Sequence, residues 1–170
     1  DLDDIRVRVT QGMLPLKPWN DPEIDELERD HLNDFGESSQ GYALFPYNKA
    51  ALKVLTNQNC TNTRGELEFN PRTVLSHILI PILRNYRSAF VTGQFPPANF
   101  LNLSPSATLQ SEIRISDQTK RQQSLSAVSF WGYEANSKGE LVRVMPPSVA
   151  SVMGMDDLAQ LLGNTTPSIE

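Results

Sequence analysis

The chain has 170 residues, 39% of them hydrophobic and 21% charged, with a formal net charge of −5. That length suits one domain with its own core, the composition is that of an ordinary globular protein, and no apolar run reaches the roughly 18 residues of a membrane helix. The negative balance argues against a generic nucleic-acid binder, and a single cysteine, Cys60, excludes an internal disulfide and a cysteine-rich zinc site.

In chain order, Asp1 to Pro18 sets Ile5, Val7 and Val9 in alternation with Arg6 and Arg8, which predicts a short strand or extended arm. Residues 1–20 therefore read as an arm or linker. The chain opens Asp1-Leu2-Asp3-Asp4 without a methionine or a secretion signal, and is expected to have been cut from something longer. Asn20-Asp21-Pro22-Glu23 predicts a helix start, its acids favoured by the dipole. This helix runs to about Phe35 with Ile24, Leu27, His31 or Leu32, and Phe35 inward, and Gly36 ends it. His31 is expected on a half-buried face rather than on a metal. Asn48 can cap a second helix with Ala51, Leu52, Val54 and Leu55 on its apolar side. Thr56 to Gly65, rich in Asn and Thr, reads as a loop that carries Cys60.

The central segment is Phe69-Asn70-Pro71-Arg72-Thr73, followed by apolar residues at Val74, Leu75, Ile78, Leu79, Ile82, Leu83 and Tyr86. Asn70 suits an N-cap and Pro71 a first helical residue, and the spacing predicts one buried stripe. Pro81 lies inside this helix, removes the hydrogen bond to the His77 carbonyl and should bend it. His77 reads as structural or exposed. After Phe90 the chain is expected as loop and extended segment through Pro105. A long helix follows from Asp117 to about Tyr133, with Leu125, Val128, Phe130 and Trp131 as core anchors, ended by Gly132 or by the Asn136–Gly139 segment. Leu141 to Val144 is a short extended piece. Pro146-Pro147 and then Asp156 or Asp157 open two last helices; Gly163 closes the second, and the tail to Glu170 frays. The class expected is mainly α, a multi-helix bundle with minor short strands, organised as 21–92 and a helical extension at 93–170 that packs on it.

Chemistry is sparse. There is no phosphate loop, dinucleotide fingerprint, His-Glu-x-x-His, nucleophile elbow or EF-hand. No catalytic residue and no metal ligand set is assigned, and a self-contained active site is not expected. The sharpest lead is Arg72. A cation in a first helical turn opposes the dipole at a cost of about 0.3–1 kcal/mol, and the same turn leaves N–H groups unsatisfied. A guanidinium beside such groups suits a phosphate.

The order Leu44-Phe45-Pro46-Tyr47-Asn48, an apolar helix, a loop and then Asn70-Pro71-Arg72-Thr73-Val74-Leu75 resembles the helical lid that follows the nucleotide-binding core of AAA+ and related P-loop ATPases. The likeness covers about residues 22–90. The same phrase, with Phe130-Trp131-Gly132, resembles the large ATPases of bacterial anti-phage defence, of the DNA-phosphorothioation-dependent restriction (DptF-like) type. The resemblance implies that Arg72 is a sensor-2 arginine reaching the γ-phosphate, with Asn70 and Thr73 beside it. It implies ATP with Mg as cofactor, held mainly by an upstream core that is also the first partner. Oligomer neighbours or other defence proteins would be further partners.

Two other readings stand beside it. A DNA-binding module would use Arg64, Arg84, Arg87, Lys49 and Lys53, since residues 41–100 hold Glu66 and Glu68 as their acids against six cations. A scaffold would dock its acidic first 40 residues on a basic partner, and there Arg72 would be merely exposed or paired with Glu66 or Glu68. No membrane partner is expected, and the cysteine usage fits a reducing cytoplasm.

Overall fold

A run of four small or apolar residues, Ser124 to Ala127, leads into Val128-Ser129-Phe130-Trp131, and all eight are buried. They form the inner half of a helix around which the other elements assemble. The computed structural model describes residues 26–39, 41–98, 100–137 and 140–165. The arm at 1–20, the start of the first helix and the tail beyond 165 lie outside the described residues.

Helix α1 spans Glu26–Asn33 and α2 spans Lys49–Asn59. Helix α3 is continuous but composite: an α turn Pro71–Thr73, a π-helical stretch Val74–Leu79 and an α segment Ile80–Asn85. Helix α4 (Arg87–Val91) comes next, then a 3-10 turn at Phe100–Asn102 and helix α5 (Ala107–Glu112). Helix α6 is Gln118–Trp131. Strands β1 (Tyr133–Ser137) and β2 (Glu140–Val144) pair antiparallel, with Tyr133 opposite Val144. Helices α7 (Pro147–Val152) and α8 (Asp156–Thr165) pack against each other. The described residues are mainly α-helical, as the sequence implied, with one small antiparallel strand pair among them.

The helix ends follow from their caps. The Asn48 side chain accepts from the Ala51 N–H, Ser106 from Leu109 and Asp117 from Lys120. Gly132 ends α6, where a β-carbon would run into the Val128 carbonyl. One buried cluster takes Phe35, Tyr47, Leu55 and Ile78 from before the expected boundary at 92/93, and Phe95, Phe100, Trp131 and Val149 from after it. Aromatic rings meet edge-to-face through its centre: Trp131 lies 6.1 Å from Phe35, 5.6 Å from Phe95 and 5.3 Å from Phe130.

Several local expectations change. Leu27 is exposed, whereas Phe35 is buried as expected. Helix α2 continues through Thr56 to Asn59, because the Thr56 hydroxyl and Asn59 amide satisfy carbonyls four residues back instead of breaking the helix. Cys60 is buried at the end of this helix rather than out in a polar loop. Residues 100–102 turn with positive φ at Leu101 and Asn102 where an extended run was expected. Helix α8 passes through Gly163, and α5 and β1 are elements that no sequence pattern predicts.

Candidate functional site

Within the segment Leu44 to Asn48, which carried part of the family resemblance, Pro46, Tyr47 and Asn48 form a buried junction. Trp131 Nε1 donates to the Pro46 carbonyl at 2.9 Å, and Asn48 Nδ2 donates to the Trp131 carbonyl at 2.7 Å. Asn48 Oδ1 meanwhile accepts from the Ala51 N–H at 2.8 Å, so one amide caps α2 and ties it to the end of α6. The Tyr47 hydroxyl donates to the Leu79 carbonyl at 3.0 Å and also approaches that of Ile78 at 3.4 Å. Burial pushes the Tyr47 phenol up to about 12. These side chains hold α2, α3 and α6 in register and are spent on that task.

Those Tyr47 contacts fall on the π-helical stretch of α3, whose widened turn closes with the Ile80 N–H donating to the Leu75 carbonyl. Pro81 is the sequence cause: it has no N–H, and its ring crowds the carbonyl four residues back. Instead of breaking at Pro81, the helix takes up an extra residue. Such a residue rotates the later part of the helix back by about 100°, one residue's share of a 3.6-residue turn. The row Val74, Ile78, Ile82 and Tyr86 thus stays over the core, with Ile78 and Ile82 buried. Leu75 and Leu83 are displaced sideways and are 53% and 49% exposed, not buried in the single stripe expected. Across the extra residue, Arg72 and Arg84 stand nearly as i and i+11 of a regular helix and so share one side, with Ile80 between them.

The first turn of α3 departs from the expected phosphate cradle. Asn70 Oδ1 accepts from both the Arg72 N–H at 3.0 Å and the Thr73 N–H at 3.3 Å. The two donors nearest the guanidinium are already satisfied, and Asn70 acts as the cap. Arg72 itself is exposed, and among the described residues its guanidinium pairs with neither Glu66 nor Glu68. Glu66 is engaged by Asn62 Nδ2 at 3.3 Å, in a turn where Asn62 Oδ1 also accepts the Arg64 and Glu66 N–H groups. Thr73 is half-buried.

The other candidate cations do not converge. Lys49 and Lys53 are exposed on α2, Arg64 on the turn after it, Arg84 near the end of α3 and Arg87 at the start of α4. Around them the segment 67–91 exposes a run of large apolar side chains: Leu67, Phe69 (81%), Leu75, Ile80, Leu83 and Val91 (81%). This apolar and basic side of α3 is the feature that the periodicity missed. Pro81 was its signal, since it marks where the register must change. His31 is half-buried and His77 exposed, and no cluster of metal-ligating residues occurs among the described residues.

A separate polar cleft of about 240 Å³ lies where the N-terminal ends of α6 and α8 meet the loop at Gly93. Lys120, Gln123 and Ser124 come from α6; Gly154, Met155, Asp156, Asp157 and Leu158 come from the turn into α8. Lys120 Nζ pairs with Asp157 at 2.7 Å, and both are largely exposed. The hydrogen bond to Asp157, and the nearby Asp157, Asp117 and Asp156 charges, hold the Lys120 ammonium above its usual pKa. None of the residues assigned from sequence lines this cleft.

Among the described residues no helix is long and apolar enough to cross a membrane. No protein-family model matches this chain, and neither a curated protein nor a solved structure is significantly similar to it.

Proposed function

We propose that this chain is the helical, lid-like portion of a larger ATPase. In this reading the apolar and basic side of α3 docks on a nucleotide-binding core, and Arg72 contributes its guanidinium to the γ-phosphate of ATP held there with Mg. One observation carries the reading: Arg72 stands exposed and without an ion pair among the described residues, at the start of a well-capped helix and next to exposed apolar residues that a partner surface would cover. The capped N–H groups limit the contact to the side chain, which suits a guanidinium that touches phosphate only when the lid closes. The chain then couples nucleotide state to partners and does no chemistry alone. A role in defence against foreign DNA rests on the family resemblance.

The test is Arg72→Ala in the full-length protein that contains this chain. Turnover falls by about 10²-fold or more, as for other lost transition-state cations, while the isolated domain keeps its stability within about 0.5 kcal/mol. Unchanged turnover removes the sensor role.

An interaction domain without a nucleotide role is the second reading, and the exposed row Leu75, Ile80 and Leu83 favours it. Partner binding that is lost in Leu75→Ser while Arg72→Ala leaves turnover intact would select this reading over the lid.

A further inference from the structure

Between Phe69 and Ser111 the chain carries no aspartate or glutamate, although its net charge is −5. Three arginines fall in that stretch, Arg72, Arg84 and Arg87, and all three are exposed. Among the described residues none of their guanidiniums makes an ion pair or a hydrogen bond. Arg72 and Arg84 stand on the side of α3 that also shows Ile80, with the exposed Leu75 and Leu83 alongside.

One face therefore leaves two kinds of group unmatched, apolar side chains in water and cations without anions. Its occupant must answer both. A nucleic-acid backbone would neutralise the arginines and leave Leu75, Ile80 and Leu83 without apolar contact. A wholly apolar protein surface would bury the guanidiniums unpaired, which is costly. A bilayer sorts groups by depth, apolar side chains below and cations at the headgroups. Here Ile80 lies on one line with Arg72 and Arg84, so depth does not separate them. A second helix sorts groups by position along its axis instead, which is what this face requires.

The spacing sets the register. Arg72 and Arg84 are placed nearly as i and i+11 of a regular helix, about 16 Å or about three turns apart. A helix lying along α3 at a shallow crossing angle meets both with residues about eleven positions apart in its own sequence. Its apolar stripe then falls opposite Leu75, Ile80 and Leu83.

We propose that the exposed side of α3 binds an acidic amphipathic helix of a partner protein. Two carboxylates, about eleven residues apart in that helix, pair with Arg72 and Arg84, and its apolar stripe covers the leucine row. The inference rests on the docking of this face, which both readings above share, and adds what docks there. In the lid reading the helix and the γ-phosphate are alternative occupants of Arg72.

The test uses the ¹⁵N-labelled 170-residue chain and a synthetic helical peptide of about 18 residues, with leucines in one stripe and two glutamates about eleven positions apart beside it. One control peptide of the same composition places the glutamates opposite the leucines. A second replaces the glutamates by lysines, and vesicles of phosphatidylserine are a further probe. The first peptide produces saturable shifts at the Leu75, Ile80 and Leu83 amides, at about tenfold lower concentration than either control. Arg84→Glu weakens its binding by about tenfold, and the lysine peptide then binds this variant better than it binds the parent. Leu83→Ser weakens it by about fivefold. Control peptides that bind equally well, no saturation up to about 1 mM, vesicles shifting these amides where the peptide does not, or self-association through the same residues without peptide would each overturn the proposal. Turnover of the full-length protein that falls with Arg72→Ala while these titrations fail would refute this inference and leave the sensor role standing.

Discussion

Helices α6 and α3 both open on a well-formed cap, and they end up in opposite environments. The inner half of α6 is buried on every side, its Trp131 held from three directions by ring contacts and two hydrogen bonds. Helix α3 buries a narrow row and leaves a comparable apolar row in solvent. The difference comes from composition as well as position. Small residues in α6, Ser124, Ser126, Ala127 and Ser129, let neighbours close on all faces, whereas α3 carries branched and long apolar residues on two adjacent rows. A helix that hides everything serves the fold. One that keeps hydrophobic side chains in water has stabilisation left to gain from a partner.

The sharpest way to break this contrast is to empty the centre of α6. Trp131→Ala removes the largest fully buried side chain, its contacts with Phe35, Phe95 and Phe130, and its hydrogen bond to Pro46. The expected loss is about 3–5 kcal/mol, much of the total stability of a domain of this size, so the variant should show a broadened or absent urea transition. A loss under about 1.5 kcal/mol would mean that α6 is not the centre of the structure.

A smaller effect is expected at the junction. Asn48→Ala takes away the cap of α2 and leaves the buried Trp131 carbonyl without its donor. The cap contributes about 1 kcal/mol and the orphaned carbonyl about 1–3 kcal/mol, giving roughly 2–4 kcal/mol in chemical denaturation. Asn48→Asp separates the two parts: it keeps the capping oxygen and loses the donor, so it should recover about 1 kcal/mol at most.

How much of this was legible varies with locality. The start of α6 could be read from Asp117 and the start of α3 from Asn70 and Pro71, because each is fixed by neighbours in sequence. The end of α6 was open between Gly132 and the Asn136–Gly139 segment, and the structure places it at Gly132, against the Val128 carbonyl. Pro81 announced a disturbance, but whether a helix breaks, bends or takes up a residue depends on what supports the disturbed turn from outside. Here Tyr47, 32 residues away from Leu79, donates to its carbonyl. Residues 44–48 looked like a family signature and a helix cap; the buried partner of both Pro46 and Asn48, Trp131, lies more than 80 residues on. Helix α5 and strand β1 are too short and too polar to carry a period. The cleft at α8 draws on three separate segments, and its one local sign was Gly154-Met155 where a capping residue would be expected.

Tyr47→Phe probes the link between α2 and α3 more gently. Losing the hydroxyl costs about 0.5–1.5 kcal/mol at neutral pH. The pH dependence adds a signature. The unfolded phenol ionises near its ordinary value of 10.0, while burial holds the folded one to about 12. Between these values the unfolded state releases its proton first, so stability falls as pH rises through the interval. Tyr47→Phe should lose that alkaline decline, as read from urea midpoints at pH 9 and at about pH 11.

The smallest expected change is the most telling for α3. Leu75→Ser and Leu83→Ser remove side chains that are about half in water and lie outside the buried cluster. Each should alter stability by no more than about 0.5 kcal/mol, measured as a shift in urea midpoint at unchanged slope. A loss above about 1.5 kcal/mol would mean that the chain itself covers this row, and α3 would then resemble α6 rather than oppose it. Near-neutral stability combined with a changed elution volume or lost association in the full-length protein would assign the row to a partner. In that case the extra residue in α3 acts at the surface: by turning Leu83 alongside Leu75 and Arg84 alongside Arg72, it makes one continuous face from two that a regular helix would have kept apart.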